Sequence, residues 1–195
     1  MLKVITSVLF VSLVFLASAQ QNDSIPRARN CPDYLLSPAL SVATMEGGQV
    51  NSAGFYYRSG TSVQLSLRAH ITDRLSIGLG GGIEKLQKEW IYPIFSEFIY
   101  AFKSTPGSGF FILQTGYSLS YLDAYESFEG YKGSGGFMIS PGWGYAIPLK
   151  DRTKLFFASQ FRQQQFVVEY HNDNGGEYEE RFSYSFLMLK IGLQF

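Results

Sequence analysis

Between Val63 and Ile83 the chain alternates apolar and polar residues on both sides of a short break, and few folds accommodate such a pattern. Val63, Leu65, Leu67, Ala69 and Ile71 interleave with Gln64, Ser66, Arg68 and His70. After Thr72-Asp73-Arg74, residues Leu75, Ile77, Leu79, Gly81 and Ile83 interleave with Ser76, Gly78, Gly80, Gly82 and Glu84. A period of two on both sides of a tight break specifies a β-hairpin with one apolar and one polar face. Each arm is about 10 residues long, the length that crosses a bilayer as a tilted strand. Strands span a bilayer only when closed into a barrel, because every backbone polar group must be paired and no sheet edge can face lipid. The expectation is an all-β fold, a transmembrane antiparallel up-and-down β-barrel of about eight strands over residues 36–195.

The remaining chain supplies further copies of the pattern. Ala39 to Met45 is strand-like but built of small residues, and Gly47-Gly48 ends it. Val50 to Gly60 is a loop or an extension of the next strand, since Phe55 and Tyr57 share the phase of Val63. In the fourth strand Ile94, Phe98, Tyr100 and Phe102 share one face, while Glu97, Ala101, Phe95 and Ile99 share the other. The fifth carries Phe111, Leu113, Tyr117, Leu119 and Tyr121 on one face; the sixth carries Phe137, Ile139, Pro141, Trp143, Tyr145 and Ile147. Pro141 cannot donate a ladder hydrogen bond and implies a bulge. In the seventh, Leu155, Phe157 and Phe161 oppose Ala158, Gln160, Arg162 and Gln164; the last ends on Leu187, Leu189, Ile191, Leu193 and Phe195. Short breaks, such as Thr105-Pro106-Gly107-Ser108, alternate with longer charged ones at Lys85–Glu89, Leu122–Ser134 and His171–Glu180. Short turns at one end and longer loops at the other are the usual asymmetry of membrane barrels.

The N-terminus reads as a secretory leader over residues 1–19. Lys3 precedes an apolar run from Val4 to Leu16, and Ala17-Ser18-Ala19 is a small-x-small cleavage site. Residues 20–35 form a polar periplasmic tail. The single cysteine, Cys31, lies in this tail and excludes an intramolecular disulfide. The formal net charge is +0, without the basic field a nucleic-acid partner requires.

Alternation does not say which face points outward, but volume does. An eight-stranded barrel has an interior just wide enough for side chains. The apolar face carries Phe, Tyr, Trp and Leu at most positions and would overfill it. The other face carries Gly, Ser, Ala and Gln with Arg68, Glu84, Glu97, Arg162 and Lys190, which would pair within a plugged lumen. The apolar face is therefore assigned to lipid, with Trp90, Tyr92, Tyr121, Trp143 and Tyr145 near its borders.

The leader, the alternating strands and the terminal Leu189-x-Ile191-x-Leu193-x-Phe195 together resemble the small outer-membrane β-barrel families of Gram-negative bacteria. Three pieces are more narrowly similar to uncharacterised Bacteroidota outer-membrane barrels: Thr72-Asp73-Arg74-Leu75-Ser76-Ile77-Gly78-Leu79-Gly80, Tyr92-Pro93-Ile94-Phe95, and Gly135-Gly136-Phe137-Met138. The resemblance covers nearly all the chain after Leu36. It implies an outer-membrane location, outer-membrane lipid as surroundings, and Phe195 as the signal read by the barrel-assembly machinery. It implies no reaction.

Candidate chemistry is sparse. His171 with Glu169 and Ser183 or Ser185 is the one set from which a lipid acyl-hydrolase or acyltransferase could be built. His70 reads as a polar group bonded within the lumen. Asp173-Asn174-Gly175 with Glu177, Glu179 and Glu180 is oxygen-rich enough for Ca²⁺, but reads first as a solvated acidic loop. Gly78, Gly80, Gly81 and Gly82 lack the strand-to-helix context of a nucleotide loop and suit a tight lumen. The expectation is a monomeric, non-catalytic barrel without cofactor. It would present acidic loops to an extracellular partner, in a structural or surface-interaction role. The rivals are the lipid-modifying enzyme and a secreted lipocalin-like ligand-binding barrel.

Overall fold

The computed structural model describes residues 36–51, 54–87, 89–103, 107–122, 131–149, 153–171 and 177–195. The leader, the tail with Cys31 and the Asp173–Gly175 segment lie outside these. The described chain forms strands β1 (Leu36–Asn51), β2 (Gly54–His70), β3 (Leu75–Leu86), β4 (Glu89–Ala101), β5 (Ser108–Leu122), β6 (Tyr131–Ser134), β7 (Gly136–Pro148), β8 (Lys154–His171) and β9 (Glu177–Gln194). β6 and β7 are one strand interrupted at Gly135, and both pair with β8. Neighbours in sequence pair antiparallel, and β1 closes the circle against β9, so eight barrel strands leave no free edge.

The alternation sets the inside and the outside. Leu65, Leu67, Ile77, Leu79, Ile83, Ile94, Phe98, Tyr117, Leu119, Phe137, Trp143, Tyr145, Phe157, Phe161, Leu187, Leu189 and Ile191 point outward and are exposed. The alternate residues are buried or half-buried. From Leu75 to Ile83, at about 3.3 Å per residue along a strand tilted by about 40°, the apolar band spans roughly 20 Å. Trp143 lies inside this band, between Ile139 and Ile147, rather than at its border.

Several strands run beyond the band. β1 extends to Asn51 and pairs there with Gly54, so residues 50–51 and 54–60 are ladder. β3 likewise runs to Leu86 and pairs with Glu89, replacing the expected charged loop with a tight turn in which Gln87 takes φ 41°. His171 pairs with Glu177, so the last hairpin takes in His171 and Glu177 to Glu180 of the segment read as an acidic loop. Pro141 makes no bulge. Pairing with β8 lapses between Met138–Ile139 and Gly142 and resumes in the same register. The β3–β4 ladder lapses in the same way opposite Pro93. A missing N–H thus removes a bond without inserting a residue.

The interior is not made of small residues and ions alone. One apolar cluster, toward the long-hairpin end, contains Met45, Leu86, Ile91, Phe166, Tyr184, Phe186 and Met188. A second, toward the short-turn end, contains Phe110, Ile112 and Phe156. The large rings fit because a glycine faces each of four of them on the same rung. Phe95 lies between Gly80 and Gly116, Phe110 opposite Gly144, Phe156 opposite Gly192, and Phe186 opposite Gly47. A Cβ at Gly80 would stand 2.6 Å from the Phe95 ring and 2.8 Å from the Leu65 carbonyl oxygen. Gly80→Leu is expected to destabilise the barrel by about 1–3 kcal/mol through overpacking, as read by urea unfolding in lipid vesicles. Adding Phe95→Leu should recover part of that loss.

Candidate functional site

Between the two apolar clusters lies a polar layer built by six strands. Glu84 on β3 accepts from Ser62 Oγ at 3.0 Å and Gln64 Nε2 at 3.2 Å, both on β2. The same Oε1 pairs with the Arg162 guanidinium reaching across from β8. Neither Glu84 nor Arg162 is exposed at all (0%). Glu97 on β4 takes Arg68 Nε at 2.6 Å, Ser66 Oγ at 3.3 Å and, on its other oxygen, Gln114 Nε2 at 2.9 Å. Lys190 of β9 bridges the halves, donating to Gln64 Oε1 at 2.7 Å and Gln114 Oε1 at 3.4 Å. Gln114 Nε2 also lies 3.3 Å from Gln64 Oε1.

Register explains why these groups meet. Ser62 and Glu84 share a rung, as do Glu97 and Gln114. Arg68 and Glu97 are on strands separated by β3, where Gly78 occupies their common rung. With no side chain at Gly78, Arg68 lies over β3 and reaches the carboxylate; a Cβ there would stand 3.3 Å from Arg68 Cγ. The structure thus brings Arg68 to Glu97, and Arg162 to Glu84. It leaves Lys190 on two glutamine oxygens. Gln64 and Gln114 are the residues that sequence reasoning passed over. Both lie in the inward phase, but only the pairing register shows that they couple the two ion pairs.

Toward the short-turn end, Arg68 Nη1 donates to Gln194 Oε1 at 3.2 Å, and the guanidinium carbon lies 5.0 Å from the Phe156 ring centroid. With Oε1 so engaged, Gln194 Nε2 faces His70 Nε2 at 3.2 Å, which must accept. His70 Nδ1 then carries the proton and donates to Ser76 Oγ at 2.8 Å. Phe195 continues β9, its N–H donating to the Pro38 carbonyl at 2.9 Å. At the opposite rim Arg58 pairs with Glu89 at 3.3 Å, and the Tyr57 hydroxyl donates to Glu46.

The candidate catalytic set is not brought together. His171 is on the rung of Glu177, whereas Ser183 is opposite Gln165 and Ser185 opposite Gln163. Six rungs at about 3.3 Å separate His171 from Ser183 by roughly 20 Å along the ladder. Among the described residues no group of three or more His, Cys, Asp or Glu is placed to hold a metal ion.

No protein-family model and no curated protein matches this chain. Solved structures do. Neisserial surface protein A is similar at 14% identity, with TM-score 0.58, over 82% of this chain and 95% of that one. The outer membrane protein OprG of Pseudomonas aeruginosa is similar at 10% identity, with TM-score 0.54, over 82% of this chain and 96% of that one. AlkL, an outer membrane protein determined in lipid bilayers, is similar at 10% identity, with TM-score 0.58, over 90% and 96% of the two chains. At such identities the likeness is one of fold, and that fold is the closed eight-stranded antiparallel barrel.

Proposed function

We propose that this chain is a monomeric outer-membrane β-barrel whose lumen is plugged by its own side chains, with a structural or surface-interaction role and no catalysis. The observation that carries this reading is the inversion of a soluble protein: a continuous belt of exposed Leu, Ile, Phe and Trp surrounds buried Arg, Lys and Glu. Contiguous exposed apolar surface of that extent is not stable in water. In lipid it is the required exterior. The three structures of similar fold, one a surface protein and two outer membrane proteins, support the location. On this reading the leader over residues 1–19 is cleaved, the barrel-assembly machinery reads Phe195, and the short turns face the periplasm. The long-hairpin end then offers acidic residues to an extracellular partner.

Carbonate washing tests the location: the protein should stay with the outer-membrane fraction, and release into the supernatant would identify a secreted soluble barrel instead. Reconstitution tests the plug. The purified barrel in planar bilayers should give no unitary current steps in concentrated KCl, because the Arg162–Glu84 and Arg68–Glu97 pairs and the flanking Phe110, Phe156 and Phe186 fill the cross-section. Regular single-channel steps would overturn it.

A further inference from the structure

At the short-turn mouth a hollow of about 80 Å³ opens between the barrel wall and the turn at residues 71–74. We infer that this hollow is a binding site for a single phosphate group. Arg68, Arg74 and Lys154 line it, and Asp73 is the carboxylate among its lining residues. Glu97 stands behind Arg68 and offsets part of its charge. Counting it, three cations stand with two carboxylates among the described residues. Ser76 and Ser108 add hydroxyls to the lining, and the buried Phe110 and Phe156 form an apolar floor. Such a floor lowers the local dielectric and strengthens attraction for an anion.

The chemistry favours phosphate over a carboxylate. Guanidinium forks bond anionic oxygens in pairs, and a tetrahedral group with several acceptor oxygens can engage donors converging from more than one side. Here the donors converge from β2, the following turn, β3, β5 and β8. His70 is held on its neighbours by Ser76 and Gln194, which fixes the wall beside Arg68. The volume suits one such group and no attached sugar or base. Two sources supply this chemistry at an open mouth: free inorganic phosphate, and the headgroup phosphate of a lipid in the adjoining leaflet. The second source alone rests on the membrane reading above.

The test uses the isotope-labelled full barrel in maltoside micelles, which contain no phosphate. Inorganic phosphate should shift the amide resonances of Arg74, Ser76, Ser108 and Lys154 saturably. The Arg74→Gln/Lys154→Gln double variant should abolish the shifts, and Lys154→Arg should retain them. If the headgroup is the ligand, the same resonances will instead respond to phosphatidylglycerol doped into the micelles and not to diacylglycerol. Unchanged spectral dispersion shows that each variant is folded. Absence of saturable shifts with both probes overturns the site, as do shifts spread equally to Arg58 and Lys85 at the far rim, whether or not the barrel spans a membrane.

Discussion

Arg162→Met is expected to cost about 3–5 kcal/mol of unfolding free energy, the usual penalty for removing one partner of a buried ion pair. The reason is what remains. Glu84 is wholly withdrawn from solvent, and without the guanidinium only the neutral donors Ser62 and Gln64 contact its carboxylate. The neighbouring Phe186, on the rung of Arg162, offers it nothing polar. Removing both charges should be far milder: Arg162→Met with Glu84→Met replaces the pair by apolar volume and leaves no orphaned ion. Equilibrium urea unfolding in lipid vesicles reads both variants and their coupling. A single Arg162→Met variant within about 0.5 kcal/mol of wild type, the range of ordinary surface substitutions, would show that the pair is not the anchor of the lumen.

Leu79→Arg probes the other face. Leu79 is 72% exposed, in the middle of the outward run from Leu75 to Ile83, beside Leu67 on β2. In a bilayer an arginine near the midplane costs about 2–4 kcal/mol, falling to about 0–1 near the interface. Leu79→Arg should therefore lose about 2–4 kcal/mol in vesicles, whereas Phe55→Arg, at the far tip of β2, should lose about 1 or less. In a barrel whose exterior met water, both changes would be near neutral and would raise solubility. The gradient with depth, more than either value, distinguishes the two environments.

The period-two pattern made β2, β3 and the end of β9 legible, because there one face is uniformly large and apolar and the other is Gly, Ser or charged. The same pattern fails beyond the band. Gly47 to Asn51 and Glu177 to Glu180 pair in ladders, but no run of large apolar residues marks them, so they read as loops, and Phe55 to Arg58 reads equally as loop or strand extension. The inward rings were partly hidden for a different reason. Phe95 blurred the alternation of β4, and Phe110 and Phe186 sit next to outward Phe111 and Leu187. Volume taken strand by strand assigns the bulky apolar face to lipid and gives no reason to expect large rings on the other face. The cue was across strands rather than along them: Gly80, Gly144, Gly192 and Gly47 mark the rungs where a ring turns inward. Register fixes those rungs, and register is a property of pairs that one strand's sequence does not contain. The ionic residues of the lumen were visible singly for the same reason; their pairing across Gly78 was not.

The direction in which the large side chains face is tested most directly by fluorescence. The chain has two tryptophans. Trp90→Phe leaves Trp143, 69% exposed on the outward face. Reconstituted into vesicles of lipid brominated along the acyl chain, that tryptophan should lose most of its emission and be insensitive to aqueous iodide. Quenching by iodide with no response to brominated lipid would place Trp143 in water and contradict a barrel whose exterior is its apolar face.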